Sequence, residues 1–295
     1  MTTQMGSNRY GKSGIRLAVV NRDSAAHRFV DLEIDIWLHG DFDAAYVAGD
    51  NAAVLTTDTM RGTCYALARD GVDSVADYGM RVGARLLEAS AQTHIAVVTL
   101  VQHPWQRVPV PGSDGSSVGH DHTFSPAAGG KPIYVVTATR KADPVVVGGV
   151  QGARVAKTTG SAFSGFLRDQ YTTLGETRDR IMATTIDARW GTTGSDVDHG
   201  ELAMQVPPTM LAAFAEHDDS ESVQHTLYVM GQAVLTDHPD LTWIRFVLPN
   251  EHHIESDLSP YGLDNPGVVY LVADRPFGVI EGVVARDGIT PPPAW

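Results

Sequence analysis

The chain has 295 residues, 43% of them hydrophobic, and a formal net charge of −13. That length allows a sizeable core and two domains at roughly 100 to 200 residues each, and the composition excludes a disordered chain. The acidic balance argues against a nucleic-acid binder, which needs clustered Lys and Arg against phosphate. A single cysteine, Cys64, excludes an internal disulfide or a thiolate zinc cluster and suits a reducing compartment.

MTTQMGSNRYGK at the N-terminus lacks the apolar core of a signal peptide, and the longest apolar runs, such as IAVVTLV at 95 to 101, are of strand length. The C-terminal PPPAW is no peroxisomal address. The expectation is a cytoplasmic protein with no membrane and no nucleic-acid partner.

In chain order, the clearest strand covers 30 to 38, where Val30, Leu32, Ile34, Ile36 and Leu38 alternate with Asp31, Glu33 and Asp35. It pairs most simply with 15 to 22. A helix follows that Thr57 or Asp58 can cap, with Met60, Cys64 and Leu67 on one face, and a second covers 74 to 90 with Val75, Val82 and Leu86. Strands return at 94 to 102 and 132 to 140. The second half repeats the order: strands at 145 to 157 and 180 to 190, a helix after Pro207 and Pro208, and a helix from about 220 to 235. In the last of these, Val223, Leu227, Met230 and Val234 share a face. Strands at 241 to 248 and 268 to 285 close it, the last broken near Pro276.

Strand-strand-helix-helix-strand-strand, twice, predicts an α+β protein with antiparallel four-stranded sheets and two helices on one face of each, not an alternating Rossmann type. The boundary falls near 141, giving domains 1–141 and 142–295. No strong residue-level repeat links the halves, so the duplication rests on the order of elements. Polar, glycine-rich segments at 111 to 130 and 191 to 204 read as loops.

GxGxxG before a helix, a Walker loop, a GxSxG elbow and HExxH are all missing. His120 and His122 alternate as two imidazoles on one side of a strand would, but without a third ligand at zinc spacing they read first as polar strand or loop residues. His252 and His253 point to opposite faces of a strand. Lys12, in RYGKSGIR, is a general base if desolvated and a solvated strand-end lysine otherwise. TTDT at 56 to 59 reads first as a helix cap, and LPNEHH at 248 to 253 as a strand end. SAFSGFLRDQYTTLGETRDRI, 161 to 181, departs most from a core pattern: Phe163 lies among small residues that let a ligand approach its ring. Arg168 and Arg180 each adjoin an aspartate, a pattern more often a structural ion pair.

Taken together these stretches resemble the urate oxidase (uricase) family across nearly the whole chain: YGKSGIR at 10 to 16, GDN at 49 to 51 followed by TTDT, KTTGSAFSGFLRDQYTTLGETRDRIMAT at 157 to 184, SVQ at 222 to 224, LPNEH at 248 to 252 and DRPFGVIEGVVAR at 274 to 286. The resemblance implies two tandem T-fold (tunnelling fold) domains, ββααββ each, and a homotetramer with active sites at subunit interfaces. It implies oxidation of urate by dioxygen and water to 5-hydroxyisourate and hydrogen peroxide in purine degradation, without metal or organic cofactor. Residue by residue, it makes Arg180 and Gln224 the purine clamp and Phe163 the stacking ring. Val223 would contribute its backbone, Thr57 and Asp58 contacts from a neighbouring subunit, and Asn250 the amide at the dioxygen or water site. Lys12, Thr57 and His252 match the proton relay, the order threonine-aspartate selecting Thr57 over Thr56.

Two alternatives stand beside this reading. One is another T-fold enzyme acting on a purine or pterin, possibly zinc-dependent through His120 and His122; the other is a purine-binding protein without turnover.

Overall fold

Buried apolar side chains at every second position of residues 30 to 38 commit that stretch to a sheet with one covered face: Leu32, Ile34, Ile36 and Leu38 are fully buried. The structure, a computed structural model, describes residues 3–113, 115–194 and 197–292. The end of the PPPAW tail, 293–295, lies outside them, as do the first two residues of the N-terminal stretch. The chain divides into two compact units, Met1–Gly149 with Gly194–Leu202, and Val150–Thr193 with Ala203–Trp295.

In the first unit the strands β1 (Arg9–Asn21), β2 (Arg28–Gly40), β3 (Thr93–Gln102) and β6 (Lys131–Thr139) are adjacent in that order and antiparallel. A short helix α1 (Asp43–Ala48) precedes α2 (Thr57–Ala68) and α3 (Val75–Ala89), and α3 packs on β3 and β6. Cys64 on α2 is fully buried, and burial pushes its thiol up to about 11, so it acts as a small core residue. In the second unit, which includes β7 (Val145–Lys157) from Val150 onward, the order is β7, β8 (Met182–Thr192), β9 (Leu241–Glu255) and β10 (Tyr270–Ala285). The β8/β9 and β9/β10 pairs are antiparallel, and α5 (Val223–Asp237) packs on β9 and β10. The tandem α+β organisation therefore stands.

Several expectations are corrected. Residues 111 to 130 are largely not loop: β4 (Trp105–Pro111) and β5 (Ser117–Pro126) form a two-stranded ribbon. Its mostly exposed residues carry no apolar alternation to read, and Arg107 fastens it by donating to the carbonyls of His27, His120 and Asp121. The helix expected after Pro207 and Pro208 runs through both, as α4 (His199–Glu216). Leu202, Val206, Met210 and Phe214 recur every fourth residue and are all buried, at about 1.5 to 3 kcal/mol each, which outweighs about 3 kcal/mol for an internal proline. β9 continues to Glu255, and β10 is one strand whose expected break is a register shift between Ala273 and Gly278. β1 begins at Arg9, not 15, because glycines that read as breakers serve the pairing: a Cβ on Gly11 would lie 1.9 Å from the Ile36 carbonyl oxygen.

The halves do share residue-level devices. Gly14 on β1 has φ +69° and its N–H donates to Asp35 on β2 at 2.7 Å, and Gly152 on β7 has φ +78° and donates to Asp187 on β8 at 2.7 Å. Arg140, just past β6, donates to the Leu87 and Ser90 carbonyls at the end of α3 and to Thr93 at the start of β3. Arg286, just past β10, does the same for Leu235 and His238 at the end of α5 and Leu241 at the start of β9. Each guanidinium satisfies carbonyls that a helix terminus leaves unbonded.

Close approach of α5 to the sheet depends on Gly231, where a Cβ would lie 2.4 Å from Val284 Cγ2 and 2.7 Å from its Cβ. Val284 is β-branched and cannot swing away cheaply. Gly231→Ala is expected to lower stability by up to about 2 kcal/mol: overpacking costs typically about 1 to 3 and the gain in helix propensity offsets about 1. A lower denaturant midpoint at unchanged slope would be the readout.

Candidate active site

The first unit carries three of the expected residues. Lys12 lies on β1 opposite Ile36, immediately before the register shift that Gly14 terminates. It is half-buried, and its ammonium makes no hydrogen bond or ion pair among the described residues. Thr57 and Asp58 open α2, where four amides lack helical partners. Thr56, not Thr57, caps the helix: its hydroxyl oxygen accepts the Thr59 N–H at 3.1 Å. That leaves the half-buried Thr57 hydroxyl free of the structural role expected of this stretch. Asp58 is exposed and ion-paired to Arg61 at 2.6 Å. Tyr10 connects the two elements, its hydroxyl donating to the Leu55 carbonyl at 2.9 Å two residues before Thr57, while its ring sits edge-on to Phe42 at 4.8 Å.

The second unit carries the others. Phe163 and Thr177 exchange main-chain hydrogen bonds of 2.8 and 3.0 Å, which draws the two ends of the 161 to 181 stretch together. Arg180 then lies with Cζ 5.6 Å from the centre of the Phe163 ring. The ion pairs expected for Arg168 and Arg180 do not form. Arg168 lies over the Phe166 ring at 5.3 Å, and Asp169 accepts from the Tyr171 and Thr172 groups of its own turn. Asp179 turns away from Arg180 towards Thr159 and Gly160. Among the described residues no carboxylate pairs with Arg180, its buried Nε has no partner, and burial lowers its pKa. A guanidinium in that state is stabilised by a bound anion.

Val223 is the first residue of α5, capped by Ser222, which accepts the His225 N–H at 3.1 Å. Val223 is buried and Gln224, next to it, is exposed, so Gln224 leaves the apolar stripe as expected. The helix position follows from its contacts. Gly231 meets Val284, which pairs with Ile244; Leu227 meets Gly282, which pairs with Phe246. Four residues further back is about 6 Å, the spacing of one more pair on the same face, Ile280–Leu248, and the next pair is Gly278–Asn250. The N-terminus of α5 thus points along β9 towards Asn250 and, two residues on, His252. Alternation places Glu251 and His253 on the opposite face, where Glu251 binds Arg154 at 2.6 Å and Thr185 at 2.6 Å beside a separate cavity of about 390 Å³.

His120 and His122 meet edge-on at 4.5 Å on β5, with His27 5.7 Å from His122. Among the described residues no group of three or more His, Cys, Asp or Glu is placed to hold a metal ion. Phe166 was not singled out from sequence, yet it stacks on Phe163 at 5.0 Å and 14°. FSGF carries the signal, since Gly165 with φ +69° turns the chain back on itself.

Known proteins resemble the chain along nearly its whole length. The family model described as Uricase matches residues 8–137 and 146–281. The chain is 41% identical to the uricase of Arthrobacter globiformis over 284 residues, 96% of this chain and 90% of that protein. It is 33% identical to the uricase of Dictyostelium discoideum, covering 95% and 96%. The crystal structure of Arthrobacter globiformis uricase matches with a TM-score of 0.90 at 39% identity, over 99% of this chain and 98% of that one. A uricase structure from Bacillus fastidious, 20% identical, matches with a TM-score of 0.80 and speaks to the fold alone.

Proposed function

Because the chain belongs to the uricase family, we propose that it is a urate oxidase, converting urate, dioxygen and water to 5-hydroxyisourate and hydrogen peroxide in purine degradation without a metal or organic cofactor. The observation that carries the reading is Arg180, half-buried, with its buried Nε unpartnered and no carboxylate paired to it among the described residues, beside the Phe163 ring. Urate is a flat anion with carbonyl oxygens and ring nitrogens on its edge. A guanidinium fork holds such an edge by two charge-assisted hydrogen bonds, and Gln224 adds a donor and an acceptor from one amide. The phenyl face of Phe163 fixes the plane, and the Val223 N–H, at a helix N-terminus, favours the anion's oxygen.

Ground-state dioxygen is a triplet and adds only slowly to a singlet molecule, which is why most oxidases employ a metal or flavin. Deprotonated urate is electron-rich enough to give up a single electron itself. The protein's work is then to remove a proton, hold the resulting anion and place dioxygen or water over its face. Lys12 serves as general base through the Thr57 hydroxyl, His252 moves protons and orients the lysine, and Asn250 binds dioxygen or water.

Thr57 and Asp58 reach the substrate from a neighbouring subunit of a homotetramer. Exposed apolar side chains at Leu167 and Tyr171, 96% and 80% accessible in the single chain, support such an assembly. The same proposal includes a cytoplasmic location and domains 1–141 and 142–295. Among the described residues no helix is long and apolar enough to cross a membrane. The test is simultaneous loss of urate's ultraviolet absorbance and uptake of oxygen by chelator-treated protein. Matched consumption with peroxide release is expected. Urate binding without turnover would favour a binding protein, and turnover restored only by zinc would favour a metal-dependent relative.

A further inference from the structure

We propose that Asp179 is a positioning residue that fixes Arg180 and Phe163 as one clamp; the inference rests on the reading of those two residues as the urate site. They sit at opposite ends of a polar stretch whose ends are drawn together by one main-chain bridge, Phe163 with Thr177. Side chains supply the rest of the frame. The Asp179 carboxylate accepts the Thr159 hydroxyl at 2.9 Å through one oxygen and the Gly160 N–H at 2.9 Å through the other. The Thr177 hydroxyl donates to the Asp179 carbonyl at 2.7 Å, so the segment ending in Arg180 is held from both its main chain and its side chain.

Gly160 is the point on which this frame bears. Its φ is +74°, and a Cβ there would lie 2.6 Å from the Asp218 carbonyl oxygen, so the chain has no room to shift. Its carbonyl accepts the Ser220 N–H at 3.2 Å, and the Ser220 carbonyl accepts the Ala162 N–H at 2.7 Å. Ser220 in turn bonds the Thr226 hydroxyl at 2.7 Å, inside the first turns of α5. Arg180, Phe163 and the helix end carrying Val223 and Gln224 are thus referred to one rigid point, and Asp179 is the side chain that joins Arg180 to it. Directed this way, its carboxylate also leaves the adjacent guanidinium unneutralised for the substrate.

The geometry distinguishes alanine from asparagine. Asp179→Ala loses both acceptors. Asp179→Asn keeps an oxygen for the Gly160 N–H, and its NH2 can donate to Thr159, whose hydroxyl accepts as readily as it donates. Losing one charge-assisted hydrogen bond of the clamp costs roughly 10- to 100-fold in binding. D179A is expected to raise the urate KM, and the Kd for urate measured without oxygen, by about 30-fold, with kcat within about 3-fold, because the proton-relay residues lie outside this frame. D179N should stay within about 3-fold of wild type, and Thr159→Val, which removes one donor, should raise KM by about 3-fold. Folded D179A with wild-type KM, or D179N as impaired as D179A, overturns the proposal. Should D179A fail to fold, T159V with an unchanged KM does so instead. Arg180→Gln separates the two levels: if it retains wild-type KM, the clamp reading itself falls and takes this proposal with it. If it loses binding while D179A does not, only the role of Asp179 is lost.

Discussion

Replacing Arg180 by glutamine is expected to lower kcat/KM for urate by about 10³-fold, and lysine in its place should recover little of that. Two charge-assisted hydrogen bonds at about 1.5 to 3 kcal/mol each amount to about 4 kcal/mol, or three factors of ten at about 1.4 kcal/mol per decade. The environment points the same way: a half-buried guanidinium with an unpartnered Nε and no ion pair among the described residues loses little by exchanging its present surroundings for an anion. Lysine offers a point charge where a planar fork is required. Because no carboxylate is left unpaired when the arginine goes, the fold should keep its melting temperature to within a few degrees. Steady-state turnover and thermal melting, measured together, check this; a variant that turns over urate normally would remove Arg180 from the site.

Thr57→Ala and Thr56→Ala should separate along two different axes. With Thr57 as the hydroxyl through which Lys12 acts, T57A is expected to lower kcat by about 10² to 10⁴-fold with stability unchanged. T56A removes the oxygen that accepts the Thr59 N–H and is expected to cost about 1 kcal/mol of stability with kcat nearly intact. Lys12→Ala should match T57A in kcat, and the double variant should be little worse than either, as for residues that act as a unit. Equal loss of turnover in T56A and T57A would move the catalytic role off Thr57.

Much of the frame beneath these residues was legible before any coordinates. Alternation in β2 and the four-residue apolar spacing of α5 are direct imprints of burial, and both elements sit where the pattern puts them. What escaped was set by contacts far away in sequence. The prolines of α4 stop a helix by local rules but not against a fully buried apolar face. The β4/β5 ribbon has too little buried surface to leave a pattern. At the site, Lys12, Thr57 and His252 each have a bland local explanation, and only family resemblance raised them together. The structure adds what spacing could not: Thr56 takes the capping role and frees Thr57, and the two aspartates that seemed to pair with Arg168 and Arg180 are turned elsewhere. Phe166 had a local signal in the glycine of FSGF, whereas nothing local distinguishes Asp179, a carboxylate that fastens a turn, from its neighbours.

The matched pairs Gly14–Asp35 with Gly152–Asp187, and Arg140 with Arg286, allow the two halves to be set side by side position for position. Aligned on the glycines, Lys12 falls on Val150, which is buried. The devices that recur are those that close strands and helix ends, while the group assigned to proton chemistry occurs once. A duplicated ancestor that kept its joints and let its working residues drift would leave this record. It follows that the halves are interchangeable as carpentry but not as chemistry: a chain with two first halves would retain both matched fastenings and still lack the ring, the guanidinium and the amide proposed to recognise a purine.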